Sequence, residues 1–111
     1  MRSDSERLLD IQEAIKNINK YASLGKDEFE NNELIQSWIV RHLQIIGEAS
    51  SHLSENFRNS HPEIPWLKII GMRNILVHDY FGIDKIIVWA AVENELPSLE
   101  TRIEKLIEKK S

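Results

Sequence analysis

Leu8, Ile11, Ile15 and Ile18 stand three or four residues apart, with Tyr21 or Ala22 one turn further on. A helix of 3.6 residues per turn buries such a stripe along one side, whereas a strand would send successive residues to opposite faces. The spacing returns as Ile35, Trp38 or Ile39, His42, Ile46, Ala49 and Leu53, and again as Ile86, Trp89, Val92, Leu96, Leu99, Ile103 and Leu106. Gly is 4 and Pro is 3, too few for a fold built from many tight turns. The expectation is an all-α chain: an up-and-down four-helix bundle with short extra helical turns, a kinked last helix and no strand. At 111 residues it suits one domain, 1–111.

The element ends follow from local chemistry. Ser3 and Glu6 are spaced as a capping box, and Gly25 ends the first helix. Asp27 is expected to cap a short turn around Phe29, which leads into a long helix from about Glu33 to about Phe57. "RNSHPEIPW" is the clearest loop, framed by Pro62 and Pro65; Pro65 or Trp66 then begins a third long helix to about Tyr80. "FGID" turns the chain and Asp84 caps the last helix. Pro97 falls inside the last apolar stripe, so it should kink that helix rather than end it. The cationic tail "EKLIEKKS" complements the helix dipole.

Composition narrows the function classes. Cys is 0, which removes disulfides, thiolate nucleophiles and thiolate metal sites together and fits a reducing cytoplasm. No apolar run approaches the ~20 residues of a membrane span, and "MRSDSERLLDIQEA" has no signal-peptide core, so no membrane partner is expected. The net charge of −4 means that any nucleic-acid role must rest on a local patch.

Chemistry-bearing residues gather in "MRNILVHDYFG", Met72 to Gly82. On a helical wheel Ile69, Met72, Ile75 and Leu76 cover a core-facing arc. Ile70, Val77 and Phe81 share the remaining arc with Arg73, Asn74 and His78. A helix apolar on nearly all sides is buried on nearly all sides, and in a short chain a second copy is the simplest cover. A homodimer is therefore expected, with two copies of Arg73 and His78 near one axis. The plain alternative is a structural pair, with Asp79 as ionic partner to Arg73 or His78. Elsewhere, Glu48 and His52 are four apart on one helix, but the di-iron bundle motif needs three, and no metal is expected. Arg41 could extend a basic cleft, His42 falls on an apolar face, and Glu48 could anchor Arg73. His61 sits in a loop and is assigned no role.

The run Arg73-Asn74-x-x-x-His78-x-Tyr80 resembles the signature of HEPN-domain proteins, specifically the HepT-type toxins paired with a nucleotidyltransferase antitoxin called MntA. "DIQEAI", "IGEAS", "IPWLKIIGMRNILVHDYFGID" and "VWAAVENELPSLETRI" extend the likeness over almost the whole chain, in the family's order and spacing. The resemblance implies a helical bundle, usually dimeric, in a type VII-like toxin–antitoxin system, with metal-independent RNA cleavage and no cofactor. Its logic is physical. RNA brings its own nucleophile, the 2′-hydroxyl, so the enzyme supplies proton transfer and charge stabilisation. His78 carries over as general acid/base and Arg73 as the phosphate clamp, with Asn74 orienting the imidazole or the phosphate. Tyr80 carries over as the residue to which the antitoxin attaches AMP. The rival is a non-catalytic HEPN subunit that docks on a nucleotidyltransferase and presents substrate to it.

Overall fold

The computed structural model describes residues 3–75, 77–78 and 82–110, except the side chains of 73–75, 77, 78, 83 and 110. The fold is all-α. Helix α1 spans Asp4–Ala22, α2 Lys26–Glu30, α3 Glu33–Ser51, α4 Glu55–Ser60 and α5 Trp66–Ile75. Val77–His78 (β1) and Gly82–Ile83 (β2) form a two-residue antiparallel pair, Val77 opposite Ile83 and His78 opposite Gly82. Helix α6 (Lys85–Ala90) runs through a π-helical turn at Ala91–Glu95 into α7 (Leu96–Lys110).

Caps explain most of these ends. Ser3 Oγ accepts from Glu6 N, and the Glu6 carboxylate accepts from Ser3 N, closing the expected capping box. Asn32 caps α3 by accepting from Leu34 and Ile35, Ser54 caps α4, and Asp84 caps α6 by accepting from Ile87 N. Asp27 is not a cap. It lies inside α2, whose N-cap is Gly25 at φ 99°, in the left-handed region that favours glycine.

Leu8, Ile11, Ile15 and Ile18 of α1 are buried together with Ile39, Leu43 and Ile46 of α3 and with Val88, Ile103 and Leu106 of the last helix. Helices α1 and α3 run antiparallel: Trp38 Nε1 donates to Asn17 O at one end, and Ser54 N donates to Asp4 Oδ1 near the other. Phe29 plugs the bundle from α2 and meets the Trp89 ring at 5.2 Å.

Beyond the Asp27 cap, and the two-residue β pair where no strand was expected, three expectations change. The second long helix stops at Ser51, and α4 restarts under the Ser54 cap, so Phe57 belongs to a separate helix. The third ends at Ile75 instead of Tyr80, because β-branched Val77 goes into the extended pair with Ile83. Finally, Ile86 is 84% exposed, because the last helix's buried stripe starts at Val88.

Candidate active site

Helix α5 carries the first half of the motif, and its start is firmly held. Trp66 is buried, its Nε1 donates to His61 O at 3.0 Å, and Phe57 lies against its ring. Ile69 N donates to Pro65 O, the first bond of the helix, and Ile69 is buried in the bundle core while Leu67 is 82% exposed. The backbone of Arg73 lies in the last turn of α5, four residues after Ile69 and seven after Trp66, roughly 10 Å along the axis from Trp66. Asn74 is its neighbour in the last turn.

His78 is not on that helix. Were α5 to continue, His78 would stand roughly 140° around the axis from Arg73, on another face. The break after Ile75 lifts that constraint and sets the His78 backbone opposite Gly82. Gly82 has φ 76°, a value a side chain would strain, so glycine is required at this turn. Asp84 then opens the last helix. Tyr80, Asp79, Leu76 and Phe81 lie outside the described residues. The apolar arc of Ile70, Val77 and Phe81 is not one helix face, because Val77 belongs to β1.

The remaining candidates separate into structural roles. His42 is buried, stacks on Trp38 at 4.4 Å and has Nδ1 2.8 Å from Trp38 O. A carbonyl only accepts, so that nitrogen carries the proton and His42 is a satisfied core residue. His52 Nε2 lies 2.8 Å from Glu48 Oε1 on the open surface. Arg41 is exposed on α3. His61 ties the α4–α5 loop: its carbonyl receives Trp66, its ring packs on Phe57, and its Nδ1 is 3.4 Å from Glu63. Among the described residues, no three His, Asp or Glu side chains group as a metal site.

One residue before Arg73, Met72 lines a narrow slot of ≈ 80 Å³. Leu43 and Ile46 of α3, Ile69 of α5, and Leu96 and Leu99 of α7 complete its walls. Glu95, Ser98 and Arg102 are its more exposed lining residues. Lys68 donates to Glu95 Oε1, and Arg102 donates to the Glu63 carbonyl. None of these three was legible as a site residue; the only signal in the sequence is Pro97, a helix-interrupting residue between them.

A family model described as ribonuclease HepT-like matches residues 11–106, including Arg73, Asn74, His78 and Tyr80. This chain belongs to the ribonuclease HepT-like family. A protein of Thermococcus cleftensis named a probable ribonuclease HepT is 40% identical over 106 residues, covering 95% of this chain and 96% of that protein. A Methanocaldococcus jannaschii protein with an RNase designation is 39% identical over 98 residues, 87% of this chain and 90% of the relative. A third relative, from Caldanaerobacter subterraneus subsp. tengcongensis and also designated an RNase, is 34% identical over 99 residues, 89% of this chain and 88% of that protein. No solved structure matches the chain. Among the described residues, no helix is long and apolar enough to cross a membrane.

Proposed function

We propose that this chain, acting as a single domain over 1–111, cleaves RNA without a metal ion, using His78 to move protons and Arg73 to hold the scissile phosphate. The chain is an endoribonuclease, as its family description implies. The observation that carries the mechanism is the family match across the segment containing both residues.

In this reading the 2′-hydroxyl attacks the adjacent phosphorus, and an imidazole takes its proton. The 5′-oxygen leaves with a proton from a second imidazole, and the products are a 2′,3′-cyclic phosphate and a 5′-hydroxyl. The Arg73 guanidinium holds the extra negative charge of the transition state, and Asn74 orients the imidazole or the phosphate. One His cannot readily be base and acid in the same step, so a homodimer with two copies of His78 near one cleft is part of the proposal. Regulation follows the same chemistry. A nucleotidyltransferase partner would attach AMP to Tyr80, and the added phosphate charge would repel incoming RNA in a cytoplasmic toxin–antitoxin pair. The net charge of −4 favours the non-catalytic subunit as second reading, because it attracts RNA weakly.

Cleavage assays with purified protein decide between them. Arg73→Ala and His78→Ala should each slow cleavage by about a hundredfold or more while circular dichroism stays helical. Cleavage should persist in chelator and leave cyclic phosphate ends. Dependence on magnesium, or 5′-phosphate products, would sink the mechanism. A parent protein that cuts no RNA would support the non-catalytic subunit.

A further inference from the structure

We propose that the cleft between α4 and the start of α5 holds one nucleotide of the RNA strand away from the cut, with Arg58 on its phosphate and Glu55 on its ribose 2′-hydroxyl. The proposal rests on the ribonuclease reading for the identity of the strand, and on the cleft itself for the nucleotide.

The cleft has a volume of ≈ 480 Å³, within the range of small-ligand sites. Glu55, Arg58 and Asn59 all line it, and their spacing of three and four residues puts them on one face of α4. Pro62 and Pro65 of the connecting loop and the exposed Leu67 of α5 give it an apolar side. The loop is held firmly: both prolines have fixed φ, Trp66 Nε1 donates to His61 O, and Trp66 N donates to Ile64 O at 2.8 Å. A ligand therefore meets a cleft that is already formed.

Charge says what that ligand is. Lys68 also lines the cleft, but it donates to Glu95. Arg58 has no such partner. Its Nε is shut off from water without a hydrogen bond, and among the described residues its side chain makes no ion pair, even with Glu55 one turn away. The chain has 18 acidic side chains against 14 Lys and Arg, so carboxylates are in excess, yet none takes this guanidinium. A guanidinium fork matches the oxygens of a phosphodiester. Glu55 in the same cleft repels a bare, multiply charged anion and favours a ligand that brings a donor beside its phosphate. The ribose 2′-hydroxyl is such a donor, and DNA lacks it. Pro62, Pro65 and Leu67 then offer the base a surface to lie on. The backbone of Arg73 is at the other end of α5, so the nucleotide in the cleft is not the one being cut.

The probe is the methyl ester of uridine 5′-monophosphate, which carries the single charge of a backbone phosphate. The intact chain has 3 tryptophans, hence three indole N–H signals by NMR. The ester should shift the Trp66 indole saturably. Its 2′-deoxy counterpart should bind about fivefold more weakly, and uridine or inorganic phosphate about tenfold or more. Arg58→Gln should stay helical with a near-parental melting temperature and bind the ester about tenfold or more weakly. Lys16→Gln, the same charge change on exposed α1, should bind as the parent does. Glu55→Ala should erase the preference for ribose over deoxyribose. In cleavage, Arg58→Gln should raise KM severalfold for a long RNA with kcat unchanged, and should leave a dinucleotide unaffected. A silent Trp66 indole, full ester binding by Arg58→Gln, or inorganic phosphate bound as tightly as the ester would overturn the proposal. So would an unchanged KM for long RNA, which would make the cleft a site for free nucleotides. The two readings fail separately. Arg58-dependent RNA binding by a parent that cuts nothing removes the ribonuclease and leaves the cleft, whereas cutting that ignores Arg58 removes the cleft alone.

Discussion

Gln36 lies one residue beyond Ile35 in the apolar stripe of α3, yet it is buried, and its amide explains how α2 is held. Gln36 Nε2 donates to Phe29 O at 2.9 Å and to Glu30 O at 3.1 Å, the last two carbonyls of α2. A five-residue helix has little stability of its own, so these two bonds and the fully buried Phe29 ring keep it docked. Gln36→Leu fits the same space but leaves the carbonyls without that donor. It should cost about 2 kcal/mol in urea unfolding, and a variant as stable as the parent would show that α2 is held by Phe29 alone. Ser50 is the opposite case: it is completely buried, and among the described residues its Oγ has no hydrogen-bond partner. Ser50→Ala removes an unsatisfied group at almost constant volume, so it should be neutral or stabilising by up to about 1 kcal/mol.

Among the elements, the last helix departs furthest from regularity, and its apolar spacing shows why. Val88, Val92 and Leu96 are buried at intervals of four and four, which drift by roughly 40° per step in a regular α-helix. The wider π-helical turn at Ala91–Glu95 takes up that drift and keeps the stripe on the core, while Leu96 N donates to Ala91 O across five residues. Pro97 contributes from the other side, since it has no N–H for a regular i→i−4 bond to Glu93. The chain therefore continues through the proline, as its apolar period anticipates, by adding a residue to one turn. Deleting exposed Asn94 should convert that turn to α-helix with both flanking stripes still facing inward, at a near-parental melting temperature. Deleting Glu104 from regular α7 should unfold the protein, because it turns Leu106 off the core. Equal damage from the two deletions would mean that the π-helical turn carries no spare residue.

At the scale of the whole molecule, charge governs how the chain meets RNA. An enzyme that held many phosphates would lose affinity steeply with salt, by a slope of about −0.7 per phosphate for single strands. Under the proposed mechanism, a dimer of net −4 chains with one Arg clamp each should neutralise about two phosphates. Its kcat/KM for a short RNA should then fall less than about tenfold between ~50 and ~200 mM salt. A thousandfold fall would reveal a basic track on the surface that the composition does not suggest.

The helical content, the Ser3 and Asp84 caps, most of the core stripes (Ile86 being the clear exception) and the continuation past Pro97 were all determined by the sequence itself, because each depends on residues within one or two turns of one another. The family likeness was legible for a related reason, since its motif and flanking stretches lie in order along one chain. Where α5 stops was settled only in the tertiary structure. A helical pattern runs through Val77, but an antiparallel pair with Ile83, six positions on, takes the place of another helical turn, and the apolar period does not mark that exchange. The division of α3 from α4 has the same origin, with Ser54 bound to Asp4 of α1, fifty positions away. The slot beside Met72 is likewise invisible in a linear reading. Its walls come from α3, the loop before α5, α5, the π-helical turn and α7, and the space among them depends on how those elements pack rather than on any one of their periods.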